Sequence, residues 1–166
     1  MSQKFTSANT SINRDRLPAI YRKLAKKGLL RGRVLDFGCG KYPDHIQKFT
    51  EACGAEWHGY DRYNLPHARN VAEMNYCIDN EPDILICSNV LNVIDDGNMV
   101  VRYMELFPVL AKTVYITVYE GDKSGIGRQT GPDQYQRNQK LSQYCALAQG
   151  VGLNAKTQNG MLIITR

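Results

Sequence analysis

Apolar residues along this chain recur at two spacings, one typical of helices and the other of buried strands. Helical spacing predicts four amphipathic helices, which cover residues 16–27, 44–53, 95–107 and 132–149. Short apolar runs between them predict strands, which lie in the segments VLDF, EWHGYD, DILICS and TVYITVY. Residues 62–80 are rich in turn-forming residues with a weak strand signal at 71–74, and Pro108 is expected to end the third helix. Strands that alternate with helices predict a parallel sheet.

The last segment of the chain departs from this alternation. LNAKTQNGMLIITR contains two short strand runs joined by Asn159-Gly160, a dipeptide that strongly favours a two-residue hairpin. The two strands of such a hairpin are antiparallel, so the sheet should finish with one reversed strand. We therefore expect an α/β fold with a Rossmann-like, mostly parallel sheet, helices on both faces, and a closing C-terminal antiparallel β-hairpin.

The length of 166 residues fits a single domain, which we place at residues 14–166. Residues 1–13 are polar, and we expect a flexible arm that is able to order over a ligand. No run approaches the ~18 apolar residues of a membrane span, and the first residues lack the apolar stretch of a signal peptide. These features predict a cytoplasmic protein with no membrane partner. The five cysteines form no C-x-x-C pair, which favours reduced thiols.

Positive charge is concentrated near the start of the chain. The formal net charge is +5, and residues 1–33 hold nine Lys or Arg residues against the single acid Asp15. A basic helix of this kind is able to bind a nucleic acid backbone, and it is equally well explained as a solvated helix face. Both interpretations stay open at this point.

A glycine turn follows the first predicted strand, in the segment VLDFGCGKYPD. Gly38 and Gly40, with Cys39 between them, allow the backbone to turn sharply and to approach a ligand closely. Asp61 lies 25 residues after Asp36, at the end of the next predicted strand, where an acid is able to accept both hydroxyls of a ribose. Together these features predict a nucleoside site.

The residues around the glycine turn distinguish between two kinds of cofactor. A pyrophosphate cradle needs a third glycine, and this chain has Lys41-Tyr42-Pro43 in that place. Asp36 would repel a diphosphate, but it suits a cofactor that carries an α-amino group and a sulfonium. The pattern therefore favours S-adenosylmethionine over NAD. The three histidines are scattered without metal-ligand spacing, so no metal site is predicted.

Three of these features, VLDFGCG, GYD and the closing hairpin, resemble those of the class I S-adenosylmethionine-dependent methyltransferases over residues 30–166. More narrowly, five blocks resemble, in order, those of the methyltransferases associated with DNA phosphorothioation and of short phage-encoded relatives. The blocks are TSINRDRLP, LDFGCGKYPD, GYD, VLNVIDD and GDKSGIGRQTGPDQYQRN. The glycine turn of that family reads D-Y-G-C-G-R-G-x-D, from which this chain departs at Tyr42 and Pro43.

The resemblance implies a role for each motif residue. Asp36, Gly38 and Gly40 would surround the methionine part of the cofactor, Asp61 would take the ribose, and Asn89 would lie beside the methyl donor. Asn92 would belong to the same rim, although a turn residue at a hydrophobic helix entry is the alternative interpretation.

Residues after the strand TVYITVY supply candidates for acceptor binding and proton transfer. Glu120 or Asp122 could take a proton from the acceptor, or both could be loop acids in solvent. A polar, glycine-rich loop over residues 121–131 and the residues that follow it suit a planar or phosphate-bearing acceptor. The predicted substrate-binding residues are Arg14, Arg128, Tyr135 and Gln136.

The nature of the acceptor is narrowed by two motifs that the sequence lacks. After DILICS the chain reads SNVL in place of the Asp/Asn-Pro-Pro-aromatic tetrapeptide of amino-methylating nucleic acid enzymes, and it has no Pro-Cys pair. Ordinary DNA base methylation is therefore disfavoured. The sequence predicts a methyltransferase acting on a small molecule, a nucleotide or a modified nucleic acid. The alternative is a non-catalytic, S-adenosylmethionine-binding or nucleic-acid-binding partner of a DNA-modification system.

Overall fold

A computed structural model describes residues 3–10 and 14–166 of the chain. Within this part, the helices are α1 (Ala19–Lys26), α2 (Asp44–Ala52), α3 (His67–Asp79), α4 (Gly97–Leu110) and α5 (Leu141–Gly150). The strands are β1 (Gly32–Phe37), β2 (Ala55–Tyr60), β3 (Ile84–Ser88), β4 (Thr113–Thr117), β5 (Arg128–Gly131), β6 (Gln134–Gln136), β7 (Asn154–Gln158) and β8 (Met161–Thr165). Short 3₁₀ helices cover Ala8–Thr10 and Leu91–Val93. None of the described helices is long and apolar enough to span a membrane.

Six strands form one sheet in the order β2-β1-β3-β4-β8-β7. The neighbours from β2 to β4 pair in parallel, whereas β8 is antiparallel to β4 and β7 is antiparallel to β8. Asn159 and Gly160 connect β7 to β8 with positive φ angles of 54° and 71°, as a tight two-residue turn requires. The predicted mostly parallel sheet with a closing hairpin is confirmed.

The two faces of the sheet carry separate hydrophobic cores because side chains alternate along each strand. On β1, Leu35 and Phe37 pack into a core with residues of α3, α4 and α5. Val34, the residue before Leu35, packs on the opposite face with residues of α1 and α2. This layered packing fixes the ends of β1, β2 and β3 at one edge of the sheet.

Residues 67–79 form a helix, α3, where the sequence predicted turns and a weak strand. Its buried positions include Asn70 and Cys77, which are two helical turns apart, while Val71 and Ile78 face solvent. The prediction was wrong because one buried position is a polar asparagine and apolar side chains lie on the exposed face. The usual 3.6-residue pattern is therefore hidden.

The helix predicted over residues 132–149 begins only at Leu141. Residues 128–136 instead form an antiparallel ribbon, β5-β6, in which Gly131 pairs with Gln134 across the turn. This prediction was wrong because the polar ribbon has no alternating apolar pattern to identify its strands.

Pro108 was also expected to end α4, which continues to Leu110. It lies in the last turn of the helix, where its missing N–H costs one hydrogen bond, and the buried Phe107, Pro108 and Leu110 still pack into the core.

Candidate functional site

A cavity of about 350 Å³ lies at the carboxyl edge of β1, β2 and β3. Its floor is formed where the chain leaves each of these strands, by Gly38 and Gly40, by residues 60–64 and by residues 88–90. Parallel strands bring these segments together because their carboxyl ends all meet at the same edge. The cavity therefore occupies the place where a ligand is expected in an open α/β sheet.

The glycine turn after β1 closely approaches the segment that follows β3. Gly38 and Gly40 have φ angles of +84° and +81°, which L-residues with side chains rarely adopt. A Cβ atom on Gly38 would lie 2.2 Å from Cγ2 of Val90, and the Gly38 N–H donates to the Tyr60 carbonyl oxygen at 2.7 Å. Glycine at position 38 is therefore required both by the backbone conformation and by the space available.

Asp61 connects the glycine turn to the loop after β2. Its buried carboxylate accepts hydrogen bonds from the backbone N–H groups of Gly40 (2.9 Å), Tyr63 (3.0 Å) and Asn64 (2.9 Å). The backbone of Asp61 is held in turn by the Asn70 side chain, which accepts from its N–H at 2.9 Å and donates to its carbonyl oxygen at 2.8 Å. Sequence reasoning missed Asn70 because it did not predict α3.

A chain of amide groups lies on the wall beyond β3. The Gln136 Nε2 group donates to the Tyr119 carbonyl oxygen at 2.9 Å, and its Oε1 atom accepts from Nδ2 of Asn92 at 3.2 Å. This order leaves Asn92 Oδ1 buried without a hydrogen-bond partner among the described residues. Asn89 lies on the same wall with a φ angle of +58°, and its N–H donates to the Thr117 carbonyl oxygen.

Residues 3–10 lie against the domain, and five of them line the cavity, namely Gln3, Thr6, Ser7, Ala8 and Thr10. Asp133, in the turn of the β5-β6 ribbon, accepts hydrogen bonds from the Thr6 N–H at 2.8 Å and from the Thr6 hydroxyl. The Phe5 ring stacks on Tyr135 with 5.9 Å between centroids, and Ser7 is buried. The sequence predicted a flexible arm over residues 1–13. Residues 1, 2 and 11–13 of it lie outside the described part of the chain.

Replacing Asp133 by alanine is expected to speed hydrogen exchange of the Thr6 amide about tenfold, because that amide loses its acceptor. The Ser7 amide should change less, because it donates to the Asp133 backbone carbonyl, which the substitution keeps. The measurement is amide hydrogen exchange, with Asp122→Ala as the control on an acid that does not touch residues 3–10. An unchanged Thr6 exchange rate would contradict this tether.

Asp36 lies behind the glycine turn and not on the cavity wall. It is 2% exposed and faces Tyr21 and Trp57 in the core on the α1 side of the sheet. Burial raises the pKa of Asp36 to about 7, although the polar hydrogens of Tyr21 and Trp57 favour its charged form. Cys39 is buried beside it, and burial also raises the pKa of that thiol.

Replacing Asp36 by asparagine is expected to stabilise the protein at pH 8 by up to about 4 kcal/mol. The folded-state pKa of Asp36 is above its value in the unfolded chain, so the group costs stability progressively as pH rises from about 4 to about 7. The free energy of unfolding of the asparagine variant should not show this decline with rising pH. Urea unfolding at pH 5 and pH 8 measures it, with Asp79→Asn as an exposed control. Equal pH dependence in the variant and the wild type would contradict the prediction.

The structure places the other predicted site residues outside the cavity wall. Glu120 accepts a hydrogen bond from the Leu141 N–H at 2.7 Å, which lowers its pKa. Asp122 pairs with Arg128 at 3.2 Å. Arg14 lies over the Tyr42 ring, 5.2 Å from its centroid. The predicted residues that do line the cavity are Gly38, Gly40, Asp61, Asn89, Asn92, Tyr135 and Gln136.

Aromatic side chains form much of the remaining wall, and sequence reasoning missed most of them. Phe37 stacks on Tyr60 at 4.9 Å and meets the edge of Tyr103 at 5.2 Å. Tyr63, in the loop after β2, and Tyr119 also line the cavity. Among the described residues that line the cavity, Asp61 is the one carboxylate. The cavity thus combines one anchored acid with aromatic rings and amides.

The fold is that of known S-adenosylmethionine-dependent methyltransferases. The 1,6-didemethyltoxoflavin-N1-methyltransferase of Burkholderia thailandensis, with bound 1,6-didemethyltoxoflavin and S-adenosylhomocysteine, is similar with a TM-score of 0.62 and 16% identity over 95% of this chain and 80% of that one. The magnesium protoporphyrin IX methyltransferase of Synechocystis PCC 6803 gives a TM-score of 0.53 at 14% identity, covering 89% of this chain and 80% of that one. An S-adenosylmethionine-dependent methyltransferase from Aquifex aeolicus gives 0.52 at 13% identity, covering 96% and 94%.

No family model and no curated protein matches the sequence. The fold is established by the similarity to the solved structures. The narrower resemblance to methyltransferases associated with DNA phosphorothioation and to phage-encoded relatives stays a prediction.

Proposed function

We propose that this protein binds S-adenosylmethionine in the cavity and transfers its methyl group to an acceptor bound beside it. The observation that carries the proposal is the meeting of the glycine turn, Asp61 and Asn89 at one cavity, in a fold shared with methyltransferases that bind S-adenosylhomocysteine.

The cofactor assignment rests on the charge and shape of the floor. Asp61 would accept the ribose hydroxyls, since its carboxylate is fixed at the end of β2 and lines the cavity. Gly38 leaves the backbone without a side chain beside Val90, which keeps the turn close to the ligand. A diphosphate would meet the Asp61 carboxylate at the floor, and the turn has no third glycine to cradle it.

Bound S-adenosylmethionine would supply a methyl group attached to a sulfonium sulfur. A lone pair of the acceptor would form the new bond to the methyl carbon, and the sulfur would leave with the electron pair of the broken C–S bond. The protein would contribute alignment and exclusion of water, for which residues 3–10 and the ribbon cover the cavity. The Asp61 carboxylate already accepts hydrogen bonds from the glycine turn and is assigned to the ribose, so it is not available as a base for the acceptor. An acceptor nitrogen with a free lone pair therefore suits this cavity better than a group that needs a carboxylate base.

The aromatic and amide residues that line the cavity suit a planar acceptor. Aromatic rings such as Tyr103 and Tyr135 offer flat apolar contact, and the amide chain ends in Asn92 Oδ1, a buried acceptor without a partner among the described residues. A planar molecule with an N–H group would fit both features. A small molecule, a nucleotide or a modified nucleic acid base all belong to this class.

Cofactor turnover tests the proposal. The purified protein is incubated with S-adenosylmethionine and a panel of nucleobases, nucleotides and small heteroaromatic amines, and S-adenosylhomocysteine is measured by mass spectrometry. We expect S-adenosylhomocysteine to be released faster than by an Asp61→Ala control, and only when one particular acceptor is present. Tight cofactor binding without turnover on any acceptor would instead indicate a non-catalytic S-adenosylmethionine-binding protein.

A further inference from the structure

A cluster of exposed cations covers the α1 side of the molecule, away from the cavity. We call it the basic surface, and it consists of Arg22, Lys23, Lys26, Lys27, Arg31 and Lys156. The first four belong to α1 and the residue after it, Arg31 precedes β1, and Lys156 lies on β7.

These cations share one face although they are distant in sequence. The Lys23 ammonium donates to the Asn159 carbonyl oxygen at 3.2 Å, which brings α1 against the β7-β8 turn. Lys156 lies on the α1 side of β7 because its neighbour Ala155 packs into the core on the opposite face. Arg31 lies close enough to Tyr115 for its positive charge to favour the ionised form of that phenol. Tyr115 is opposite Ile163 on β8, and Ile163 is opposite Lys156 on β7.

The positive charge of the basic surface is not compensated. None of its six cations forms an ion pair with any residue that the structure describes. Helix α1 contains no acid, and Asp133 is the last acidic residue in the chain, so the hairpin beside α1 has none either. Uncompensated charge of this kind attracts polyanions.

We propose that the basic surface binds the phosphate backbone of duplex nucleic acid. Helices that lie in a membrane surface combine cations with apolar side chains, and proteins that bind single strands combine cations with aromatic rings for base stacking. The exposed large apolar residues of the described chain include Tyr63, Ile78, Val109 and Ile126, and none of them belongs to α1, β7 or β8. Cations without such neighbours suit regularly spaced phosphates. The proposal is independent of the proposed cofactor site.

The test is fluorescence anisotropy with a labelled 20-base-pair DNA duplex, titrated at several salt concentrations. Binding in the micromolar range at low salt is expected, and the slope of log Kd against log salt should fall by about 2 to 3 in the variant Arg22→Gln/Lys26→Gln/Lys27→Gln. The single variant Lys156→Gln, on a separate element, should lower it by about 1. The matched control Arg102→Gln/Lys112→Gln/Lys123→Gln removes equal charge elsewhere.

Each other outcome overturns the proposal. No duplex binding at low salt would do so, as would an equal slope change in the matched control. Tighter binding of a single-stranded oligonucleotide, or of vesicles with anionic lipid, would assign the basic surface to a different partner. Circular dichroism of every variant checks that the exposed substitutions leave the fold intact.

Discussion

Replacing Asp61 by alanine is expected to weaken S-adenosylmethionine binding at least about 100-fold. The carboxylate accepts three backbone hydrogen bonds that join the glycine turn to the loop after β2, and the proposed ribose would lose its acceptor as well. A hydrogen bond to a charged group is worth about 1.5–3 kcal/mol, so the loss of the ribose contact together with a loosened turn accounts for this factor. Isothermal titration calorimetry measures the change.

Asp79→Ala provides the control for Asp61→Ala, since Asp79 is an exposed acid at the end of α3. The affinity of the Asp79→Ala variant for S-adenosylmethionine should equal that of the wild type. Urea unfolding of both variants separates a local loss of affinity from global unfolding. Binding by folded Asp61→Ala protein within threefold of the wild type would show that the ribose is held elsewhere.

Replacing Gly38 by alanine is expected to abolish cofactor binding and to destabilise the fold by about 2–4 kcal/mol. The positive φ angle costs an L-residue about 1–2 kcal/mol, and the added Cβ would meet Val90 at 2.2 Å, which adds the cost of a displaced loop. Both effects act at the cavity floor. Urea unfolding gives the stability, and calorimetry gives the affinity.

The chain offers a closely matched control in Gly54. Its φ angle of +83° nearly equals that of Gly38, but nothing lies within 4 Å of an added Cβ. Gly54→Ala should therefore show the conformational cost alone and keep cofactor affinity. The double variant Gly38→Ala/Val90→Ala should recover part of the stability. Equal destabilisation by Gly38→Ala and Gly54→Ala would contradict the close approach of the glycine turn to Val90.

The sequence predicted the sheet because its strands are continuous apolar runs and because Asn159-Gly160 defines the hairpin. It also predicted the floor of the cavity, since Gly38, Gly40 and Asp61 follow strands at the correct ends. It did not predict α3, whose buried face includes the polar Asn70. The polar ribbon β5-β6 was missed for a similar reason, because alternation of apolar residues is the signal for strands.

The cover of the cavity could not be predicted because it depends on contacts between distant segments. Residues 3–10 are held by Asp133 and Tyr135, more than 120 positions away, and a polar segment carries no pattern that identifies its partner. The orientation of Asp36 was equally hidden. Its charge just before the glycine turn and the resemblance to methyltransferases predicted that it lies beside the cofactor, whereas the alternation of side chains along β1 turns it toward Tyr21 and Trp57.

The central claim is that the cavity binds S-adenosylmethionine, and calorimetric titration of the purified protein with S-adenosylmethionine and, in parallel, with NAD tests it most directly. Micromolar binding of S-adenosylmethionine without binding of NAD is the expected result. Binding of NAD alone, or no binding of S-adenosylmethionine at millimolar concentration, would contradict the account.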